Sequence, residues 1–181
     1  FHSEVRQQFE TTILPIVDEI LRLLEIPPKS FELSVVNPGA TSASDTGINL
    51  QGYSADAPAF LALLSAALDL SVRQDVVCTG HIASPDGDMA PVGSLPQKID
   101  AALKDPEIKT FVFPRIEQDS SLKELKPLHY EEAVTALRRS RGKIKHKEVR
   151  DIAGLLEAVL EMESIVVASL QNGYFNRPLS A

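Results

Sequence analysis

The sequence predicts one mixed domain of the α/β or α+β class, with short strands and helices gathered around a single buried helix. Three observations lead there. Residues 56–70 (DAPAFLALLSAALDL) are apolar on nearly every face, the pattern of a helix that lies inside a core. Short strand-like runs at 75–84, 89–92, 110–113 and 144–149 are interleaved with helical patterns at 95–104, 130–139 and 151–162. The length, 181 residues, suits one domain and is enough to bury a core without metals or disulfides.

Each element has its own local reason. Val5, Phe9, Ile13, Ile16, Val17, Ile20, Leu21 and Leu24 recur at helical spacing, which predicts an amphipathic helix over 4–25. Pro15 sits inside it and is expected to bend it, and Pro27-Pro28 stops it. Residues 31–36 alternate as a strand does, and 37–51, rich in Gly, Ser, Thr and Asp, read as a loop holding a short edge strand at 47–50. Pro58 fits the first turn of the 56–70 helix, where no amide donor is missed. Ser84-Pro85-Asp86-Gly87-Asp88 has the composition of a hairpin turn between two strands. Pro114 ends the 110–113 strand, and Asp151 is placed to cap the last helix. The expected organisation is an N-terminal helix (1–30), the body of the domain (31–162) and a C-terminal extension (163–181), with no internal repeat and no low-complexity tract.

Composition narrows the classes of function. Hydrophobic residues at 44% and charged residues at 24% are ordinary for a soluble globular protein, and a net charge of −7 argues against a surface built for nucleic-acid phosphates. The one basic run, from Arg138 to Lys147, reads as a solvated helix end and loop, since cations suit a helix C-terminus. A single cysteine, Cys78, excludes an intrachain disulfide and fits a reducing compartment, so a cytoplasmic location is expected. No apolar run reaches the roughly 18 residues of a membrane span, and no signal-peptide pattern opens the chain. The first residue is Phe1 rather than Met, so a further N-terminal part is to be expected.

The residues able to carry chemistry are few. Ser54 stands just before the apolar helix, where free amides and positive potential suit a developing oxyanion. Its neighbours Gly52 and Ala55 are small and leave room for a substrate. A serine hydroxyl needs a base, and a lysine whose burial lowers its pKa can be one. Lys98 lies in an otherwise apolar helical stretch, SLPQKIDAAL. A Cys78–His81 pair fails, because residues three apart on a strand face opposite ways. His2, His81, His129 and His146 are scattered, which gives no metal site, and Asp86-Gly87-Asp88 is too short for a calcium loop.

Those residues fall into an ordered series that resembles the proteolytic domain of Lon-like proteases. Gly52-Tyr53-Ser54-Ala55-Asp56 to Val72-Arg73-Gln74-Asp75-Val76 resembles GPSAG…PVRxDV, and Val77-Cys78-Thr79-Gly80-His81-Ile82 resembles AMTGEI. The stretch from Pro91 to Ala102 resembles PIGGLKEKLLAA, whose second lysine falls on Lys98 once the hairpin near Pro85 to Asp88 takes one extra residue. Ile108-Lys109-Thr110-Phe111-Val112-Phe113-Pro114 resembles IKTVLIP, and 144–160 resembles the closing segment with its final helix. The departures are specific. The PKDG motif before the serine is Asn49-Leu50-Gln51-Gly52, the proline before it is Tyr53, the glycine two after it is Asp56, and the glutamate of TGEI is His81. Asn37-Pro38-Gly39-Ala40-Thr41 resembles PEGAT at a longer spacing from the serine, and the family's first strands are absent upstream of the first helix.

The resemblance implies an α+β Lon-type fold and a Ser–Lys dyad peptidase, with Ser54 as nucleophile and Lys98 as its base. It places Thr79 beside the lysine, where its hydroxyl can orient the amine. His81 shares strand parity with Thr79, so both are expected to face the site, and Ala55 is the small neighbour of the serine; both count as supporting residues. It further implies unfolded polypeptide substrates, a hexameric ring, and an AAA+ ATPase module in cis or in trans. No GxxxxGK[ST] phosphate loop occurs here, so no ATP site, organic cofactor or metal is expected in this chain, and neither nucleic acid nor membrane is an expected partner. The alternative is a ring-forming Lon-like scaffold without catalysis. The dyad reading expects Ser54 Oγ and Lys98 Nζ within about 2.6–3.2 Å, or somewhat further apart without substrate.

Overall fold

The computed structural model of the chain describes residues 3–31, 52–116 and 127–161. The expected strand at 31–36, the loop at 37–51 with its edge strand, and the 163–181 extension lie outside these residues, apart from Phe31. The N-terminal pattern folds as helix α1 (Ser3–Gln8), a π-helical turn (Phe9–Ile13) and helix α2 (Leu14–Leu23). Pro15 explains the wide turn. A proline inside a helix donates no hydrogen bond and its ring presses on the carbonyl four residues back. The amide of Leu14 reaches back five residues to Phe9 O, so the extra residue is absorbed ahead of the proline.

Helix α3 (Asp56–Leu68) follows a 3₁₀ turn (Tyr53–Ala55) and ends on Asp69, which takes the left-handed conformation at φ 55°. Phe60, Leu61, Leu63, Leu64 and Ala67 are buried on it, as its sequence predicts. Pro58, Ala62 and Ala66 recur at i,i+4 spacing and are exposed, so α3 keeps one narrow outer side.

A parallel sheet runs beside it in the order β1–β4–β5, from β1 (Val76–Cys78), β4 (Thr110–Pro114) and β5 (Lys145–Val149). Helix α4 (Leu95–Ala102) precedes β4, and α5 (Pro127–Ser140) crosses over from β4 to β5, as parallel neighbours require. Helix α6 (Ile152–Val159) closes the fold, and its N-cap Asp151 accepts from Gly154 N at 2.8 Å. All of β4 is buried, which is why its residues after Thr110 are apolar without alternation. Alternation along the strands separates two cores. Val76, Cys78 and Val112 face α2, α3 and α6, while Val77, Phe111 and Phe113 face α4 and α5.

The strand expected at 75–84 is two strands. β1 stops at Cys78, and β2 (His81–Ile82) pairs instead with β3 (Met89–Ala90) as an antiparallel hairpin. The expected turn joins them, with Gly87 N donating to Ser84 O and Gly87 at φ 87°. Arg73 and Asp75, part of the family-like VRQD stretch, form a two-bonded ion pair at 3.1 and 2.9 Å, and Arg73 holds the Asp75 carboxyl below its usual pKa. No described helix is long and apolar enough to cross a membrane.

The first core rests on Phe60 and Leu155, both fully buried. Phe60→Ala is expected to cost about 3–5 kcal/mol, read as a lower urea midpoint at unchanged slope; a midpoint within error of the parent would show that the α3 side is not the core.

Candidate active site

Ser54 sits in the 3₁₀ turn that leads into α3, half-buried, and the neighbouring segment Thr79–Ile82 clasps that turn. Thr79 Oγ1 donates to Ser54 O at 3.2 Å, Gly80 N donates to the same carbonyl at 3.4 Å, and Ala57 N donates to Gly80 O at 3.2 Å. This is the reason β1 ends where it does. The Gly80 backbone is spent on the serine turn and not on a sheet ladder. Thr79 is 5% exposed, and its hydroxyl acts on the serine's own carbonyl.

Gly80 is required by space. A Cβ there would lie 2.2 Å from Met89 Cε and 3.0 Å from Pro114 Cγ, so the methionine end would have to move and the proline ring to shift by a few tenths of an ångström. Gly52 is required by conformation: it precedes the turn at φ 71°, and a side chain there would meet nothing within 4 Å.

Asp56 neither caps α3 nor faces an oxyanion at its N-terminus. Its carboxylate is 4% exposed and turned toward β2. Asp56 Oδ2 accepts from His81 Nδ1 at 2.7 Å, from Gln8 Nε2 at 3.1 Å and from Ile82 N at 3.2 Å. With three donors converging on one carboxylate oxygen, His81 carries its proton on Nδ1. The Tyr53 ring stacks on His81 with centroids 4.7 Å apart. Two departures from the family pattern, Asp56 and His81, are therefore partners. Each was visible in the sequence, but 25 positions apart nothing joined them. Gln8, which also donates to Ile82 O at 2.8 Å, gave no signal at all.

Lys98 stands on α4, anchored by Leu95, Ile99 and Ala102 in the second core. Its side chain is half-buried, and desolvation lowers its pKa below that of a free lysine. Among the described residues, Nζ donates to Gly93 O at 2.7 Å. Cys78 is no nucleophile: burial pushes its thiol up to about 12. Among the described residues no three His, Cys, Asp or Glu side chains gather as metal ligands do.

The cations from Arg138 to Lys145 are exposed, as expected of a helix end and loop, and several of them share one groove. Arg138, Arg141, Lys143 and Lys145, with Lys109, line a cavity of about 650 Å³ floored by Phe113 and Ile144. None of the expected site residues lines it. Arg139 instead pairs with Asp100, and Lys147 with Glu157 at 3.7 Å.

A family model described as the Lon protease (S16) C-terminal proteolytic domain matches residues 42–160. No curated protein matches the chain.

The clasp makes two expectations. Gly80→Ala should lower stability by about 1–3 kcal/mol, the cost of overpacking, and Thr79→Val by about 1 kcal/mol, the worth of one hydrogen bond. Urea titration checks both; a Gly80→Ala midpoint equal to the parent's would show that the clasp has room to spare.

Proposed function

The chain belongs to the Lon protease (S16) C-terminal proteolytic domain family, and from that premise we propose that it hydrolyses peptide bonds of unfolded polypeptides with a Ser54–Lys98 dyad. What supports this is a serine in the turn at the N-terminus of α3 and, on α4, a half-buried lysine whose pKa burial lowers; among the described residues no hydrogen bond joins the two, and the amine bonds to Gly93 O.

In the proposed reaction the neutral Lys98 amine leaves the Gly93 carbonyl, takes the proton of Ser54 Oγ, and Oγ attacks the scissile carbonyl carbon. The oxyanion develops near the positive end of α3. The lysine then gives its proton to the leaving amine, and water attacks the acyl-serine with the amine again as base. The turning of Asp56 toward β2 supports this scheme, because it draws a carboxylate away from the helix end where negative charge would develop. The reading extends to a hexameric ring fed by an AAA+ module in cis or in trans, with no metal or organic cofactor in this chain. A second reading, a scaffold of the same fold, is favoured by the direction of the Lys98 amine, which bonds to Gly93 O and, among the described residues, not to Ser54.

A peptide boronate and an unstructured reporter polypeptide separate the two. A peptidase is trapped at Ser54 and cleaves the reporter; a scaffold does neither. Ser54→Ala and Lys98→Ala should each abolish cleavage with the fold intact, and Lys98→Arg should fail as well, since arginine does not give up its proton. The base is the neutral amine. kcat/KM should therefore rise with pH and level off below the free-lysine value of about 10.4. A rate independent of pH across the alkaline range, or full activity in Lys98→Ala, would remove Lys98 from the mechanism. Light scattering of the full-length chain should give six-fold mass; a monomer at high concentration counts against the ring.

A further inference from the structure

We propose that Asp56 and His81 form a positioning couple for the Ser54 turn, and that Gln8 makes the N-terminal helix a working part of it. The assignment rests on the reading of Ser54 as nucleophile. The 3₁₀ turn has no side-chain cap of its own, so its shape is imposed from outside. The clasp made by the Thr79 hydroxyl and the Gly80 backbone holds the Ser54 carbonyl and the Ala57 amide. The side chains on either side of Ser54 are held by a single residue. His81 stacks on the Tyr53 ring at 4.7 Å and donates from Nδ1 to Asp56 at 2.7 Å. The imidazole thus bridges the residue before the serine and the residue two after it.

The bridge is rigid for an energetic reason. A carboxylate that is 4% exposed is costly to bury unless donors satisfy it, and loss of one donor leaves the charge uncompensated. The three donors come from two places in the chain: Gln8 on α1, and the His81 side chain with the Ile82 backbone on β2. Gln8 in turn donates to Ile82 O and accepts from Thr12 Oγ1 at 3.2 Å, so its amide is fixed at both ends. A displacement of α1, of β2 or of the start of α3 therefore reaches Ser54. Neither Asp56 nor His81 needs to touch substrate for this; both act through the serine's backbone.

The test compares His81→Ala and Asp56→Ala with the conservative His81→Asn, whose Nδ2–H takes the place of Nδ1–H, and Asp56→Asn, which keeps an acceptor oxygen. Two readouts are taken on the full chain. Amide exchange at Ala57 and Gly80 reports the turn whether or not the protein cleaves anything. kcat and KM on the reporter polypeptide report its use. The alanine variants should exchange at least about 10-fold faster at both amides and lose roughly 100-fold in kcat at near-constant KM, as expected for a misplaced reacting group. The asparagine variants should recover most of both, and the double alanine variant should lose no more than either single one. Unchanged exchange in the alanine variants overturns the couple, as does an asparagine variant no better than alanine. If the wild-type chain neither cleaves nor reacts with a boronate, the peptidase reading falls, and the exchange rates alone still decide whether the couple holds the turn.

Discussion

The contact on which most of the molecule depends is the close approach of Gly80 to the turn that carries Ser54. Gly80 has no room for a Cβ, and its two backbone groups bind Ser54 O and Ala57 N. Three consequences follow from one residue. The parallel strand β1 stops at Cys78: Thr79 N still reaches Val112 O on β4 at 3.1 Å, but the Gly80 amide goes to Ser54 O. The chain then turns out of the sheet into the β2–β3 hairpin. The start of α3 is fixed to the carboxyl end of a parallel strand, the place where open α/β sheets commonly present their ligand sites.

Electrostatics reinforce that arrangement. The N-terminus of a 13-residue helix attracts negative charge, and an aspartate in its first turn would ordinarily occupy those amides. Asp56 is drawn off by a stronger set of donors on β2 and α1. The helix end keeps its positive potential for another anion, and the carboxylate becomes a structural tie. Burial alone would make this arrangement costly; the three hydrogen bonds offset that cost and also specify one geometry, since a single oxygen accepts all three.

Much of the fold was legible in the sequence because its signals are local. Apolar patterning located α1–α2, α3 and α6, the Asp151 cap and the Gly87 turn fell where composition put them, and the strand at 110–113 was found, one residue short of its end at Pro114. The split of the 75–84 strand was not legible, since Thr79-Gly80 reads as ordinary strand sequence until its partners across space are known. The same holds at the site. Ser54, Thr79, His81 and Lys98 stand out by motif order, but the Asp56–His81 bond joins positions 25 apart, and Gln8 belongs to a helix whose pattern speaks only of packing. Pro15 was legible as a disturbance and not as its remedy, a π turn placed one step earlier.

The two residues of the proposed dyad are carried by different cores. α3 packs with α2 and α6 on one face of the β1–β4–β5 sheet, and α4 packs with α5 on the other. Ser54 is tied to the first by the Gly80 clasp and by Asp56, and Lys98 to the second by Leu95, Ile99 and Ala102. Their separation is therefore set by the sheet and by the hairpin segment that leads from β2 through β3 to α4. β4 is the stiff element in that path: buried on both faces, it contributes Val112 to one core and Phe111 and Phe113 to the other. A close-packed interior transmits displacement instead of absorbing it. A shift of α4 against the sheet would move the amine relative to a serine turn that is itself held fast, so the lysine, with its long side chain and its hydrogen bond to the exposed Gly93, is the adjustable member of the pair.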